Sequence, residues 1–269
     1  MSIIKNDFEK MNVSKIKNSK NNKKLTMLTA YDALFSKLFE EVADMILVGD
    51  SLNMSFAGMP DTLSATLDQM IYHTNAVCKG APKAFVILDM PLGTYINEIE
   101  ALQNSVKVYQ QTPAAAIKIE GGEDRAHIIK HLTSNSIAVM GHIGLMPQYV
   151  RSEGGYKVRG KTPEDTEQLI NDAIAVEKAG AFAIVLEGVM SEAALKITQA
   201  VNIPVIGIGA GNVTDGQVLV WSDMLGFFED FKPKFVRHYL NGAQLVKESV
   251  NKYRNDVQDS TFPSKSEEY

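Results

Sequence analysis

The sequence predicts a (βα)8 barrel, and three observations predict it. Eight short apolar runs recur from residue 25 onward, with segments of helical length between them. The runs are mostly continuous rather than alternating, as expected of parallel strands buried on both faces. Ionisable residues gather at the ends of consecutive runs, and in such a barrel those ends share one mouth.

The elements follow in order. "LTMLTA" (25–30) is the first strand, and 31–42 is a helix with Leu34, Leu38 and Val42 on one face. "MILVGD" (45–50) precedes a helix over 64–80, with Ser64 as its cap. "AFVILDM" (84–90) precedes a helix over 97–112 that carries Ile99, Leu102, Val106 and Tyr109 on one face. "AAAIKIE" (114–120) and "IAVMGHIG" (137–144) are the fourth and fifth strands. A helix over 162–180 has Thr162 at the capping position, Pro163 at the first helical position and Gly180 at its end. "FAIVLEG" (182–188), a helix over 191–200, "IPVIGIGAG" (203–211), "QVLVWSD" (217–223) and a helix over 234–250 complete the set.

A doubly wound sheet is the structural alternative. It would more often carry a glycine fingerprint after its first strand, where "LTAYDALF" has no glycine. "GIGAG" at 207–211 does not fit either, because Asn212 falls on the final glycine position. The lysine- and asparagine-rich residues 1–24 read as a solvated helical arm without the apolar core of a secretory signal. Residues 25–250 form the barrel, and the polar segment 251–269 reads as a flexible, frayed tail.

The net charge of −5 argues against a nucleic-acid partner. No run approaches the roughly 18 apolar residues of a membrane span. The single cysteine, Cys78, excludes an internal disulfide and suits a reducing, cytoplasmic location. It lies on an amphipathic helix, which favours a packed thiol over a catalytic one.

Asp50 closes the second strand, Asp89 the third, Lys118 and Glu120 the fourth, His142 the fifth and Glu187 the sixth. One acidic strand end means little; five consecutive ionisable strand ends are hard to explain by packing. Side chains two apart share a strand face, so Lys118 and Glu120 face together and Ile117 and Ile119 face away. Asp50, Asp89 and Glu120 make an oxygen-rich set suited to Mg²⁺ or Mn²⁺. Without a cation these carboxylates repel and take up protons. Singly, each has an ordinary explanation: Asp50 as a loop cap, Asp89 as a turn residue before Pro91, Lys118 and Glu120 as a buried ion pair. Glu187 reads as a fourth ligand or a general base. His142 is flanked by glycines that would let backbone approach a ligand, while His73, His127, His131 and His238 lie on predicted helices.

"LTAYD", "VGDSL", "IKIEGG", "GHIGLMPQ", "GGYKVRG", "LEGV" and "PVIGIGAGNVTDGQVLV" occur in that order. Together they resemble the ketopantoate (3-methyl-2-oxobutanoate) hydroxymethyltransferase family over roughly residues 3–250. The resemblance implies a barrel of the phosphoenolpyruvate/pyruvate-binding type. It also implies transfer of a hydroxymethyl group from 5,10-methylenetetrahydrofolate to 3-methyl-2-oxobutanoate, giving 2-dehydropantoate for pantothenate synthesis. By the same resemblance Asp50, Asp89 and Glu120 bind one Mg²⁺ per subunit, and Asp50, Ser51, Asp89, Lys118 and His142 contact the oxo acid. Glu187 is the catalytic proton acceptor, and the assembly is a ring-like homo-oligomer, typically a decamer. Asn53 departs from the family pattern, standing where a glycine is common.

Three competing readings use the same residues. Lys118 could form a Schiff base, as in metal-free aldolases. The isocitrate lyase and phosphoenolpyruvate mutase relatives use similar barrels with Mg²⁺ on 2-oxo acids. A barrel that only binds a metabolite would not need Glu187.

Overall fold

The structure is a computed structural model, and it describes residues 10–229 and 232–269. Its strands are β1 (Leu25–Thr29), β2 (Met45–Val48), β3 (Val86–Asp89), β4 (Ala116–Glu120), β5 (Val139–Gly144), β6 (Ala183–Glu187), β7 (Val205–Ile208) and β8 (Gly216–Leu219). They pair in parallel in chain order, and β8 returns to β1 to close the barrel. The helices are α1 (Val13–Asn18), α2 (Ala33–Phe39), α3 (Leu52–Ser55), α4 (Leu67–Gly80) and α5 (Glu98–Gln111), then α6 (Ala126–Ser134), α7 (Pro163–Lys178), α8 (Ser191–Ala200), α9 (Trp221–Met224) and α10 (Gly242–Gln258).

Local chemistry starts these helices where the chain leaves the barrel. The Asp32 carboxylate accepts from the Leu34 and Phe35 amides at 2.8 and 2.9 Å, and Thr162 caps α7 with Pro163 following. At α4 the cap is Thr66, in a reciprocal box with Gln69, and not Ser64 as the sequence predicts. Ser64 Oγ instead accepts from Asn53 Nδ2 at 2.8 Å, and the same amide donates to the Asp61 carbonyl at 2.9 Å. The unusual Asn53 therefore ties down the loop between α3 and α4.

Residues 1–9 of the predicted arm lie outside the described residues; over 10–24 the arm is largely exposed, as predicted, except where Ile16 and Ser19 turn inward. Ile16 on α1 is fully buried in one cluster with Leu25, Met27, Met45, Phe85 and Phe182, which lie at or near the N-terminal ends of their strands. Phe85 and Phe182 meet edge to face at 5.7 Å. Helix α1 thus covers the end of the barrel opposite the mouth, and burying one such side chain contributes about 2 kcal/mol. Lys20 fastens the arm through the Thr198 carbonyl and Asp215, the latter at 2.8 Å.

Two apolar helix faces also differ from expectation. Leu34, Leu38 and Val42 are 69%, 63% and 68% exposed, while Ser36 and Phe39 are buried. A Cβ on Gly80 would lie 2.2 Å from Ser36 Oγ, so α2 and α4 meet through their smallest residues. That close approach turns the leucine stripe outward. On α5 the buried residues are Ala101, Ser105 and Val108, and Ile99 is exposed. Cys78 is buried in α4, and burial pushes its thiol pKa up to about 11, as suits a packed thiol.

The chain divides into one compact unit ending at Val220 and a second beginning at Trp221. The sequence reading runs the barrel domain to 250 and leaves 251–269 as a tail; α10 instead continues through that boundary to Gln258. Val246, Val250, Tyr253 and Val257 keep helical spacing there, which the polar composition obscures. The predicted strand over 217–223 stops at Leu219 and gives way to α9. No described helix is long and apolar enough to cross a membrane.

Candidate active site

Strand register brings the predicted residues together at the C-terminal mouth. Asp89 pairs in register with Lys118, Glu120 with His142, and Gly144 with Glu187. Ile117 and Ile119 alternate to the opposite face and are fully buried there. Asp50 lies just beyond β2, with its amide 3.4 Å from Asp89 Oδ2. Asp50, Asp89, Lys118, Glu120 and His142 are all buried, a costly collection of charge unless its members offset one another.

A row of contacts crosses the mouth from β3 to β6. Lys118 Nζ is 2.8 Å from Asp89 Oδ1 and 3.0 Å from His142 Nδ1. An ammonium only donates, so His142 Nδ1 is the accepting nitrogen and Nε2 carries the hydrogen. Nε2 lies 3.3 Å from Glu187 Oε2, close but outside hydrogen-bond alignment. Burial, reinforced by Lys118, holds His142 well below its usual pKa, so the ring is neutral. Burial opposes the charge on Lys118. The Asp89, Glu120 and Asp50 carboxylates outweigh it and raise the ammonium above its ordinary range.

The carboxylates respond in the opposite sense. Burial, then the Asp89 charge, pushes Asp50 up to about 8, against the pull of Lys118 and Gln148. Burial likewise raises Glu120 well above the ordinary carboxylate value. Glu187 rises to about 7 through burial, although its side chain keeps 21% of its surface open.

Gln148 joins the two halves of the site, and nothing in the sequence reading assigned it a role. Its side chain donates to Asp50 Oδ2 at 2.9 Å and to the Met90 carbonyl at 3.0 Å, and its amide donates to Glu120 Oε2 at 3.1 Å. Tyr95 Oη donates to its Oε1. The only signal was its place at the end of "GHIGLMPQ". Ser51 Oγ sits 2.9 Å from Tyr31 Oη at the edge of this group. Arg159, from "GGYKVRG", braces the strand end behind Glu187. Its amide donates to the Gly188 carbonyl at 2.8 Å, and its guanidinium holds Asp165 at 2.7 Å.

The glycines around His142 are required by packing. A Cβ on Gly141 would lie 2.4 Å from Val176 of α7. On Gly144 (φ +99°) it would lie 2.3 Å from the Glu187 carbonyl. Of the remaining histidines, His73 Nδ1 is tied to the Tyr31 carbonyl at 2.6 Å.

The donor chemistry fits a hard divalent cation. Glu120 Oε1 is buried without a hydrogen-bond partner, and Asp50 and Glu120 are driven toward protonation, which is what carboxylates do when cationic charge is short. Among the described residues no three such side chains close into a ready cage. Mg²⁺ does not require one, since it keeps several waters and takes one or two carboxylates together with its substrate.

A sequence profile of the ketopantoate hydroxymethyltransferase family matches residues 10–265. The chain belongs to that family. It is 82% identical over its full length to the whole 3-methyl-2-oxobutanoate hydroxymethyltransferase of Aliarcobacter butzleri (strain RM4018). The enzyme so named in Helicobacter pylori (strain 26695) is 51% identical over the full length of both chains. Membership makes this chain a transferase acting on small molecules. The barrel is also similar to a phosphonopyruvate hydrolase solved with oxalate and Mg²⁺, at a TM-score of 0.61 and 12% identity over 96% of this chain and 93% of that one. For 2,3-dimethylmalate lyase, of the phosphoenolpyruvate mutase/isocitrate lyase superfamily, the TM-score is 0.57 and the identity 16%, over 93% and 87% of the two chains. These two likenesses are of the fold: this chain has the same barrel architecture as those two proteins.

Proposed function

We propose that this chain transfers a hydroxymethyl group from 5,10-methylenetetrahydrofolate to 3-methyl-2-oxobutanoate, giving 2-dehydropantoate in pantothenate synthesis. The observation that carries the reading is the row of close approaches Asp89–Lys118–His142–Glu187, with separations of 2.8, 3.0 and 3.3 Å. It sets a cation and a base of pKa about 7 on opposite sides of one neutral imidazole. Enolisation needs that pair: a base for the C3 proton and positive charge for the developing oxyanion.

Asp50, Asp89 and Glu120 are the residues to hold Mg²⁺, with Gln148 yielding its carboxylate contacts. A bound Mg²⁺ supplies Lewis-acid polarisation of the oxo acid. Glu187 takes the C3 proton on its open carboxylate. Lys118 turns its charge to the enolate oxygen, and neutral His142 keeps Lys118 and Glu187 apart and aligned. Ser51 donates to the substrate carboxylate. Water hydrolyses the methylene bridge of the folate, breaking both its carbon–nitrogen bonds to give tetrahydrofolate and a formaldehyde-level carbon; the enolate carbon attacks that carbon, and its oxygen takes the proton held by Glu187 to become the product hydroxyl.

Proton NMR of 3-methyl-2-oxobutanoate in D₂O, with enzyme and no folate, tests the reading. Metal-dependent loss of the C3–H signal is expected, and it should vanish in Asp50→Ala. No exchange with either Mg²⁺ or Mn²⁺ would overturn the mechanism. Conversion of a longer oxo acid without folate would redirect it toward a lyase.

Self-association belongs to the same reading. The outward stripe of Leu34, Leu38 and Val42 is apolar surface of the kind that marks an interface. Light scattering is expected to give a multiple of the 29.6 kDa chain mass, lowered by Leu38→Glu; a monomer in the unaltered protein would end the idea.

A further inference from the structure

Enolisation gives Gln148 no task, yet this 5% exposed amide has both its donors and its oxygen in use. The two N–H groups go to Asp50 Oδ2 at 2.9 Å and the Met90 carbonyl at 3.0 Å, and the oxygen accepts from Tyr95. The main-chain N–H of the same residue adds a bond to Glu120 Oε2 at 3.1 Å. One residue thus occupies an oxygen on two of the carboxylates assigned to the cation. With those oxygens taken, no three His, Cys, Asp or Glu side chains among the described residues stand ready to hold a metal ion.

The local structure lets this grip act as one unit. Gln148 sits in a single tight turn, Pro147–Tyr149, closed by the Tyr149 amide on the Met146 carbonyl at 2.9 Å and the Val150 amide on the Pro147 carbonyl at 3.2 Å. Both carboxylate contacts start from that turn, so one shift of it releases Asp50 and Glu120 together. Tyr95 takes the amide oxygen, which leaves both N–H groups for the acceptors on the other side.

N–H groups set partial positive charge against a carboxylate, as a cation does more strongly. We propose that Gln148 is a built-in stand-in for the divalent cation: it clasps Asp50 and Glu120 until the ion arrives and competes with the ion for them, with Tyr95 positioning its amide. The inference rests on the metal-dependent reading above and adds what sets the cation's affinity. Affinity reports the difference between the loaded and unloaded states. A bond made only in the unloaded state therefore weakens ion binding by as much as it stabilises that state. A bond that orients the ligands around the ion does the reverse, and one made equally in both states leaves affinity unchanged. The sign of the change separates the three.

Mn²⁺ binding to the EDTA-stripped enzyme, without oxo acid or folate, tests this through the electron paramagnetic resonance signal of the free ion. Gln148→Met keeps the bulk of the side chain and removes its donors. It should bind Mn²⁺ about tenfold more tightly, the scale of one charge-assisted hydrogen bond. Tyr95→Phe should give a smaller gain in the same direction, and it decides alone if Gln148→Met does not fold. Urea unfolding supplies the other half of the cycle. Gln148→Met should be less stable than the unaltered protein in EDTA and recover most of that deficit in saturating Mn²⁺. Unchanged or weaker Mn²⁺ affinity in the folded variants would overturn the clasp and leave the metal reading standing. If the unaltered protein takes up no Mn²⁺, both fall.

Discussion

Glu187→Gln is expected to lower Mg²⁺-dependent C3–H exchange about 10²- to 10⁴-fold, the range a positioned base contributes, while the oxo acid still binds. The substitution keeps the shape of the side chain and removes only its ability to take a proton. Burial raises Glu187 to about 7, so exchange by the unaltered enzyme should climb with pH through about 7. An ordinary carboxylate would complete that rise near its reference value of about 4.3. The sign also separates chemistry from stability. A carboxylate whose folded pKa is raised binds protons more tightly when folded, so it destabilises the fold increasingly as pH rises toward that value. Glutamine removes this cost, and the variant should melt no earlier than the unaltered protein at pH 8. Exchange that survives in Glu187→Gln, or a limb near pH 4, would show that another group is the base.

The strand-end residues were legible because two simple periods fix them. Alternation along a strand puts Lys118 and Glu120 on one face, and parallel closure aims every strand end at one mouth. Gln148 was not legible for a different reason. It contacts Asp50 across 98 residues of sequence, from a loop turn that has no period to read. Arg159 is hidden likewise, since its value lies in a backbone bond to Gly188. The apolar stripes on α2 and α5 were visible, but their direction was not. Spacing says that leucines share a face; which face turns inward depends on how closely Ser36 can approach Gly80. The glycines of "GHIG" show the same ambiguity, for a missing side chain can make room for a ligand, a helix or a neighbouring strand. Here the helix and the strand use the room.

Lys118→Met should be the most destabilising single change in the site, and its effect should depend on pH. Among the described residues Lys118 is the one cation in contact with the buried Asp89, and its charge also reaches Asp50 and Glu120. Removing one partner of a buried ion pair costs about 3–5 kcal/mol when the other stays charged. The carboxylates can escape part of that cost by taking protons. The folded pKa values of Asp50 and Glu120, already raised, would rise further without Lys118. Stability held by a protonated carboxylate is lost as pH climbs from the unfolded value toward the folded one. Urea unfolding in EDTA should therefore give a small gap between variant and unaltered protein at pH 5.5 and a wide one at pH 8.5. Mg²⁺ should narrow the gap at pH 8.5, where the ionised carboxylates can bind it, and do little at pH 5.5. The same carboxylates keep Lys118 protonated and a poor nucleophile, so borohydride with the oxo acid should leave the unaltered enzyme active. A gap that is flat with pH would mean the carboxylates do not depend on Lys118 for their charge. Inactivation by borohydride would restore the Schiff-base route.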